Sequence, residues 1–164
     1  AGNETLRNSI PGGMYALLKN PGVWQSLQQD PAGLPAAVDE MLRWWCPVMN
    51  FRRTATATAN LGGQRIAAGD KVIVSFLSAN YDEQVFDDPT RFNPTRAANP
   101  HLSFGYGPHF CIGAQLARAQ MTALFGQLTG RLASIEQAGE PRLLRSNFQR
   151  GRKSLPVAWT ARPT

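Results

Sequence analysis

Phe104-Gly105-Tyr106-Gly107-Pro108-His109-Phe110-Cys111-Ile112-Gly113 sets a single cysteine among glycines, just ahead of a helical pattern that runs from about Ala114 to Leu132. Gly105 and Gly107 permit the tight or left-handed turns that residues with a Cβ avoid. Amide N–H groups aimed at the sulfur, together with the helix N-terminus, would lower the thiol pKa and hold Cys111 as thiolate. A thiolate is what a soft metal site requires. Gly113 would let the first helical turn approach a large planar ligand without a Cβ in the way. The plain alternative is a packing cysteine in a glycine-rich turn. Phe104, three glycines and His109 at these offsets argue against it.

Upstream the pattern is helical and then extended. Leu6, Ile10, Met14, Leu17 and Leu18 recur at helical spacing over the first twenty residues. Pro11-Gly12-Gly13 is expected to interrupt them, with Ser9 capping a restarted helix. Pro21-Gly22 ends that segment, Val23 to Gln29 suggest a second helix, and residues 34–45 a third that stops at Cys46-Pro47. From Phe51 the period changes. Thr54, Thr56 and Thr58 alternate with small residues, and Leu61-Gly62-Gly63-Gln64 reads as a hairpin turn. Ala68-Gly69-Asp70 turns into an apolar strand, Lys71 to Phe76. Residues 82–100 have no period, which suggests function or packing against something absent. Downstream of the cysteine, Leu116, Ala119, Leu124 and Leu128 mark the apolar face of the last helix. Leu143, Leu144, Leu155, Val157 and Trp159 suggest a closing hairpin. The expectation is a mainly α protein with small β-sheets (α+β), in one piece without repeats or linkers.

Composition narrows the class. The 164 residues are 43% hydrophobic and 17% charged, enough for one packed core. No apolar run is long enough to span a membrane. The net charge of +6 comes from scattered basic residues, 14 of the 17 being arginine, with no nucleic-acid motif. Solvated surface charge, or a face for an acidic protein partner, is the reading. Cys46 and Cys111 make no disulfide framework, so a reducing compartment is expected.

The loop around Cys111 resembles the cysteine-ligand loop of the cytochromes P450, where Phe, Gly, a basic residue, Cys and Gly recur at these offsets. Arg is the family's usual basic residue; His109 stands there instead, as in some soluble bacterial members. Two more stretches fit in the same order. Glu40-Met41-Leu42-Arg43 matches the family's Glu-x-x-Arg, two side chains on one helical face. Ala1-Gly2-Asn3-Glu4-Thr5 is similar to the acid-alcohol pair of the long helix that crosses the distal side of the haem. The resemblance spans the whole chain and implies the C-terminal part of a single P450 domain, residues 1–164, from distal helix to terminal hairpin.

What the resemblance implies can be placed residue by residue. Cys111 is the axial iron ligand of haem b, with Phe104, Gly105 and Gly113 shaping its loop and His109 and Arg53 reaching the propionates. Glu4 and Thr5 are the catalytic pair that guides protons. Glu40 and Arg43 form a structural triad with a meander arginine, Arg96 in preference to Arg91. Ala1, Val48, Met49, Asn50, Phe148 and Gln149 line the substrate pocket, while Trp44, Trp45 and Cys46 pack. The implied reaction is monooxygenation of a steroid, terpenoid or aliphatic substrate by dioxygen. Electrons would come through a ferredoxin-type donor with an NAD(P)H-dependent reductase, in the cytoplasm, without nucleic acid or a membrane span. Alone, this stretch is expected to hold haem poorly and be inactive. The rivals are a small Cys/His metal-binding module using Cys46, His101, His109 and Cys111, and a basic non-enzymatic binding module.

Overall fold

The computed structural model describes residues 2–163. Helices α1 (Glu4–Lys19), α2 (Pro21–Gln29) and α3 (Leu34–Trp45) are followed by strands β1 (Asn50–Thr54), β2 (Ala59–Leu61), β3 (Gln64–Ile66) and β4 (Lys71–Ser75). A short helix α4 (Phe76–Ala79) opens the irregular stretch to the cysteine loop, and α5 (Ala114–Arg131) leaves it. The tail holds β5 (Leu132–Gln137), β6 (Arg142–Leu143), β7 (Arg152–Ser154) and β8 (Val157–Ala161). The strands pair antiparallel as β1–β4, β2–β3, β5–β8 and β6–β7, four small ribbons on a helical body. The fold is mainly α with small β-sheets. Gly62 and Gly63 both take positive φ, which the two-residue turn between β2 and β3 requires.

The core lies where α1, α2, α3 and α5 meet. Leu17, Val38, Met41, Met121 and Phe125 are buried there, each apolar chain contributing ~1.5–3 kcal/mol of transfer free energy. Pro11 does not interrupt α1, contrary to the expectation from sequence. Ser9 caps nothing; its hydroxyl donates back to the Thr5 carbonyl at 2.7 Å. Packing outweighs the lost backbone bond. A Cβ at Gly12 would stand 2.1 Å from the Trp45 ring, and one at Gly13 would stand 2.7 Å from the Met41 sulfur. The two glycines therefore let α1 and α3 approach closely, and Pro11 is carried through by that contact.

One further expectation differs from the structure. The buried face of α5 is Ala114, Met121, Phe125 and Thr129, whereas Leu116 is 63% exposed and Ala119 is exposed as well. Apolar residues occur on both sides of this helix, so periodicity alone could not choose the face that meets α3. Residues 82–100, though without a period, pack on α3. Phe86 and Phe92 are buried, and Trp44 Nε1 donates to the Thr90 carbonyl at 2.9 Å. Arginines take up the carbonyls that no ladder satisfies: Arg43 donates to Pro89 O and Arg91 O, and Arg96 to Asp87 O, Asp88 O and Arg91 O.

Candidate haem-ligand site

The loop that carries Cys111 is shaped by its backbone. Gly105 has φ +74° and Gly107 φ +71°, conformations a Cβ would strain. The Gly105 N–H donates to the Leu102 carbonyl and the Phe110 N–H to the Gly107 carbonyl, both at 2.9 Å. Cys111 N–H closes the loop on Phe104 O at 2.9 Å. The cysteine is free and exposed. Among the described residues no N–H donates to its sulfur, unlike the expectation. Its own amide serves the Phe104 carbonyl, and the Ala114 amide turns to the Cys111 carbonyl at 3.2 Å.

Around the thiol the surface is unusually apolar. Ile112 is wholly exposed, Phe110 is 51% exposed and Tyr106 83%. Gly113 adds no side chain; a Cβ there would meet Cys111 Sγ at 3.8 Å. His109 is exposed and, among the described residues, makes no side-chain hydrogen bond. Arg53 is exposed too, its guanidinium 5.9 Å from the Phe51 ring centroid. Aromatic contacts tie that strand to the loop. Phe51 stands edge-on to Phe76 at 5.7 Å, and the Phe76 ring reaches to 4.0 Å from where a Gly105 Cβ would be.

The expected pocket residues also come together. Val48 bridges Gln149, Met49 N–H donates to Phe148 O at 2.9 Å, and Asn50 Nδ2 donates to Asn147 O at 2.9 Å. Phe148 lies 5.7 Å from Phe51. The segment between β6 and β7 further meets α1, where the buried Asn8 donates to Gln149 Oε1 at 3.3 Å. Thr5 and Glu4 sit in the first turn of α1; Glu4 is exposed and pairs with Arg7 at 3.0 Å. Ala1 lies outside the described residues.

Glu40, Arg43 and Arg96 form one ion network. Arg43 Nε approaches Glu40 Oε2 at 2.7 Å and Arg96 Nε approaches Glu40 Oε1 at 3.2 Å, the Glu40 and Arg43 side chains being fully buried. Arg91 contributes only its carbonyl to both arginines. Asn80 is a buried hub that sequence reading missed. It donates to Arg43 O and Ser103 Oγ and accepts from Leu102 N–H, joining the network to the base of the cysteine loop. No periodic or compositional signal marks it. Asp39 was missed as well. Burial raises its pKa, but hydrogen bonds from His101 and Arg118, together with the Arg118 charge, outweigh that and hold it below the usual value.

A haem would find a matching donor set here. One thiol stands in an open apolar rim with no Cβ at Gly105 or Gly113, and exposed His109 and Arg53 carry the basic groups that acidic substituents need. The same residues do not form a Cys/His metal module. Among the described residues no three His, Cys, Asp or Glu side chains are placed to hold a metal ion. Cys46 is buried with its thiol on the Val48 carbonyl, and His101 faces Asp39. No helix among the described residues is long and apolar enough to cross a membrane.

The chain matches the family model for cytochrome P450 over residues 33–144. Cytochrome P450-terp of a Pseudomonas species is 42% identical over 160 residues, 98% of this chain and 37% of that protein. A steroid C26-monooxygenase of Mycobacterium tuberculosis is 41% identical over 165 residues, 99% of this chain and 44% of that protein. The crystal structure of CYP108D1 from Novosphingobium aromaticivorans superimposes with a TM-score of 0.94 at 43% identity, covering 98% of this chain and 39% of that one. The chain thus spans about two fifths of the length of these relatives.

Proposed function

The chain belongs to the cytochrome P450 family, and from that premise we propose that residues 1–164 form the C-terminal portion of a single-domain, haem-dependent monooxygenase. The observation that carries this reading is the exposed Cys111 in a glycine-framed loop with an apolar rim. Cys111 would hold haem b through its thiolate, and His109 and Arg53 would bind its propionates. Phe104, Gly105 and Gly113 keep the loop's shape. Bound there, haem would supply dioxygen activation and oxidation of the substrate, with thiolate donation favouring O–O cleavage.

The remaining residues position and deliver. Glu4 is exposed and one residue from Thr5, which suits a carboxylate that takes protons from solvent and passes them through the Thr5 hydroxyl. Val48, Met49 and Asn50 with Phe148 and Gln149 would present the pocket wall to an apolar substrate. A steroid, terpenoid or aliphatic chain fits that surface, and the relative named as a steroid C26-monooxygenase supports the first. The basic balance, +6, suits an acidic ferredoxin-type donor fed by an NAD(P)H-dependent reductase in the cytoplasm. Residues 1–164 alone would hold haem poorly, because the exposed rim lacks the burial that retains an apolar cofactor.

The test is the reduced carbon monoxide difference spectrum of the full-length polypeptide. A thiolate-type band that Cys111→Ala abolishes and Cys46→Ala leaves unchanged is expected. Retention of the band in Cys111→Ala would overturn the assignment. Thr5→Ala should bind substrate normally while forming less product per NAD(P)H consumed; unchanged coupling would remove Thr5 from proton delivery.

A further inference from the structure

One carboxylate of α3 organises what lies against the cysteine loop from the side of the helical core. Asp39 Oδ1 accepts from Arg118 Nε at 2.7 Å and lies 3.4 Å from His101 Nε2. Ser103 N–H donates to His101 Nδ1 at 3.3 Å, which leaves Nε2 as the protonated nitrogen facing Asp39. Both partners of Asp39 then touch one ring. The Arg118 guanidinium sits 4.7 Å from the Phe104 centroid, and the His101 ring 5.7 Å from it. Phe104 in turn holds Cys111 through its carbonyl and packs against Phe110 at 6.2 Å. The His101 side chain is nearly fully buried, whereas Arg118 and Asp39 are about one third exposed.

We propose that Asp39 and Arg118 are positioning residues for the ligand thiolate. Asp39 sets Arg118 and His101 on the Phe104 ring, so that Cys111 experiences a fixed loop and a guanidinium charge balanced by the carboxylate. This rests on Cys111 being the haem ligand. It adds an electrostatic control that the ligand loop itself does not contain. The Asp39 carboxyl is held ionised by Arg118 and His101 against its burial, so the balance is in place at neutral pH.

The consequence is a sign. Reducing a haem iron adds negative charge, which a nearby uncompensated cation favours and an uncompensated anion opposes. Asp39→Asn leaves Arg118 uncompensated and should raise the midpoint potential. Arg118→Gln leaves Asp39 uncompensated and should lower it. Arg118→Lys keeps the charge and should stay near the unsubstituted enzyme, and the Asp39→Asn/Arg118→Gln double variant should return towards it. A purely structural role would loosen the loop in both single variants and move the potential in one common direction.

The experiment is spectroelectrochemical titration of the haem-loaded full-length enzyme and these variants, each first checked for its thiolate-type carbon monoxide band. Shifts of opposite sign, with Arg118→Lys near the parent value, support the proposal. Shifts of the same sign, or none, in proteins that keep the thiolate band overturn it while leaving the Cys111 assignment intact. Absence of that band from the unsubstituted enzyme overturns both. If Arg118→Gln does not fold, Asp39→Asn against Arg118→Lys carries the comparison: equal potentials overturn the proposal.

Discussion

Glu40→Gln isolates the ion network that ties α3 to the irregular segment. Glu40 Oε1 accepts from Arg43 Nη2 and Asn93 N–H at 2.8 Å and from Arg96 Nε at 3.2 Å. Its Oε2 accepts from Arg43 Nε at 2.7 Å and Asn99 Nδ2 at 3.1 Å. Glutamine keeps the shape but removes the countercharge and turns an NH2 donor towards groups that are all donors. Arg43 is then a fully buried cation whose remaining partners are the carbonyls of Asn80, Pro89 and Arg91. Breaking a buried pair from one side costs ~3–5 kcal/mol. The surviving carbonyls favour the lower end of that range. At a urea m-value of ~2–3 kcal/mol/M the midpoint should fall by ~1–2 M. Tryptophan fluorescence of the full-length polypeptide reports it, because Trp44 is bonded to the Thr90 carbonyl of the same segment. Limited proteolysis should cut within residues 82–100 before the helices. Arg7→Gln, which breaks an exposed pair with Glu4, is the control and should change little. A loss below ~1 kcal/mol for Glu40→Gln would refute the claim that this network anchors the segment.

Gly12→Ala should destabilise by at least ~1–3 kcal/mol, since its Cβ would fall on the Trp45 ring, whereas Gly22→Ala in α2 meets nothing within 4 Å and should be neutral or stabilising; thermal unfolding compares them. Burial pushes the Cys46 thiol up to about 11 despite the neighbouring polar side chains of Ser103 and Asn80 and the charge of Arg150. At pH 8 a thiol reagent should therefore modify Cys111 in the native haem-free protein and Cys46 only after denaturation, and haem should protect Cys111. Asp39 has a folded pKa below its unfolded value of 3.8, so its contribution is present above that value and is lost as the pH falls through the folded pKa. The stability gap between the unsubstituted protein and Asp39→Asn, ~0.5 kcal/mol for a part-exposed pair, should hold from pH 7 to about 4 and close below it; melting temperatures across that range measure it.

The cysteine loop was legible because its geometry is local. Positive φ at Gly105 and Gly107, a helix start after Gly113 and the hairpin at Gly62-Gly63 each depend on residues that adjoin in sequence. The same holds for Glu40 and Arg43, three residues apart on one helix. Arg96 was reachable only through the family pattern, because its bond to Glu40 crosses a segment without any period.

What the sequence by itself determined, then, is the set of short-range conformations and, through three ordered motifs, the family. Tertiary structure alone decided which face of α5 is buried, that α1 runs through Pro11, and which side chains meet across long separations. Asn80 and Asp39 show why. Each is an ordinary polar residue in its local context, and each becomes a hub only when α3, the meander and α5 pack together. A backbone turn is set by the sterics of adjacent residues and can be read along the chain. A buried carboxylate or amide is set by which distant donors arrive to satisfy it, and that exists only once the chain has folded.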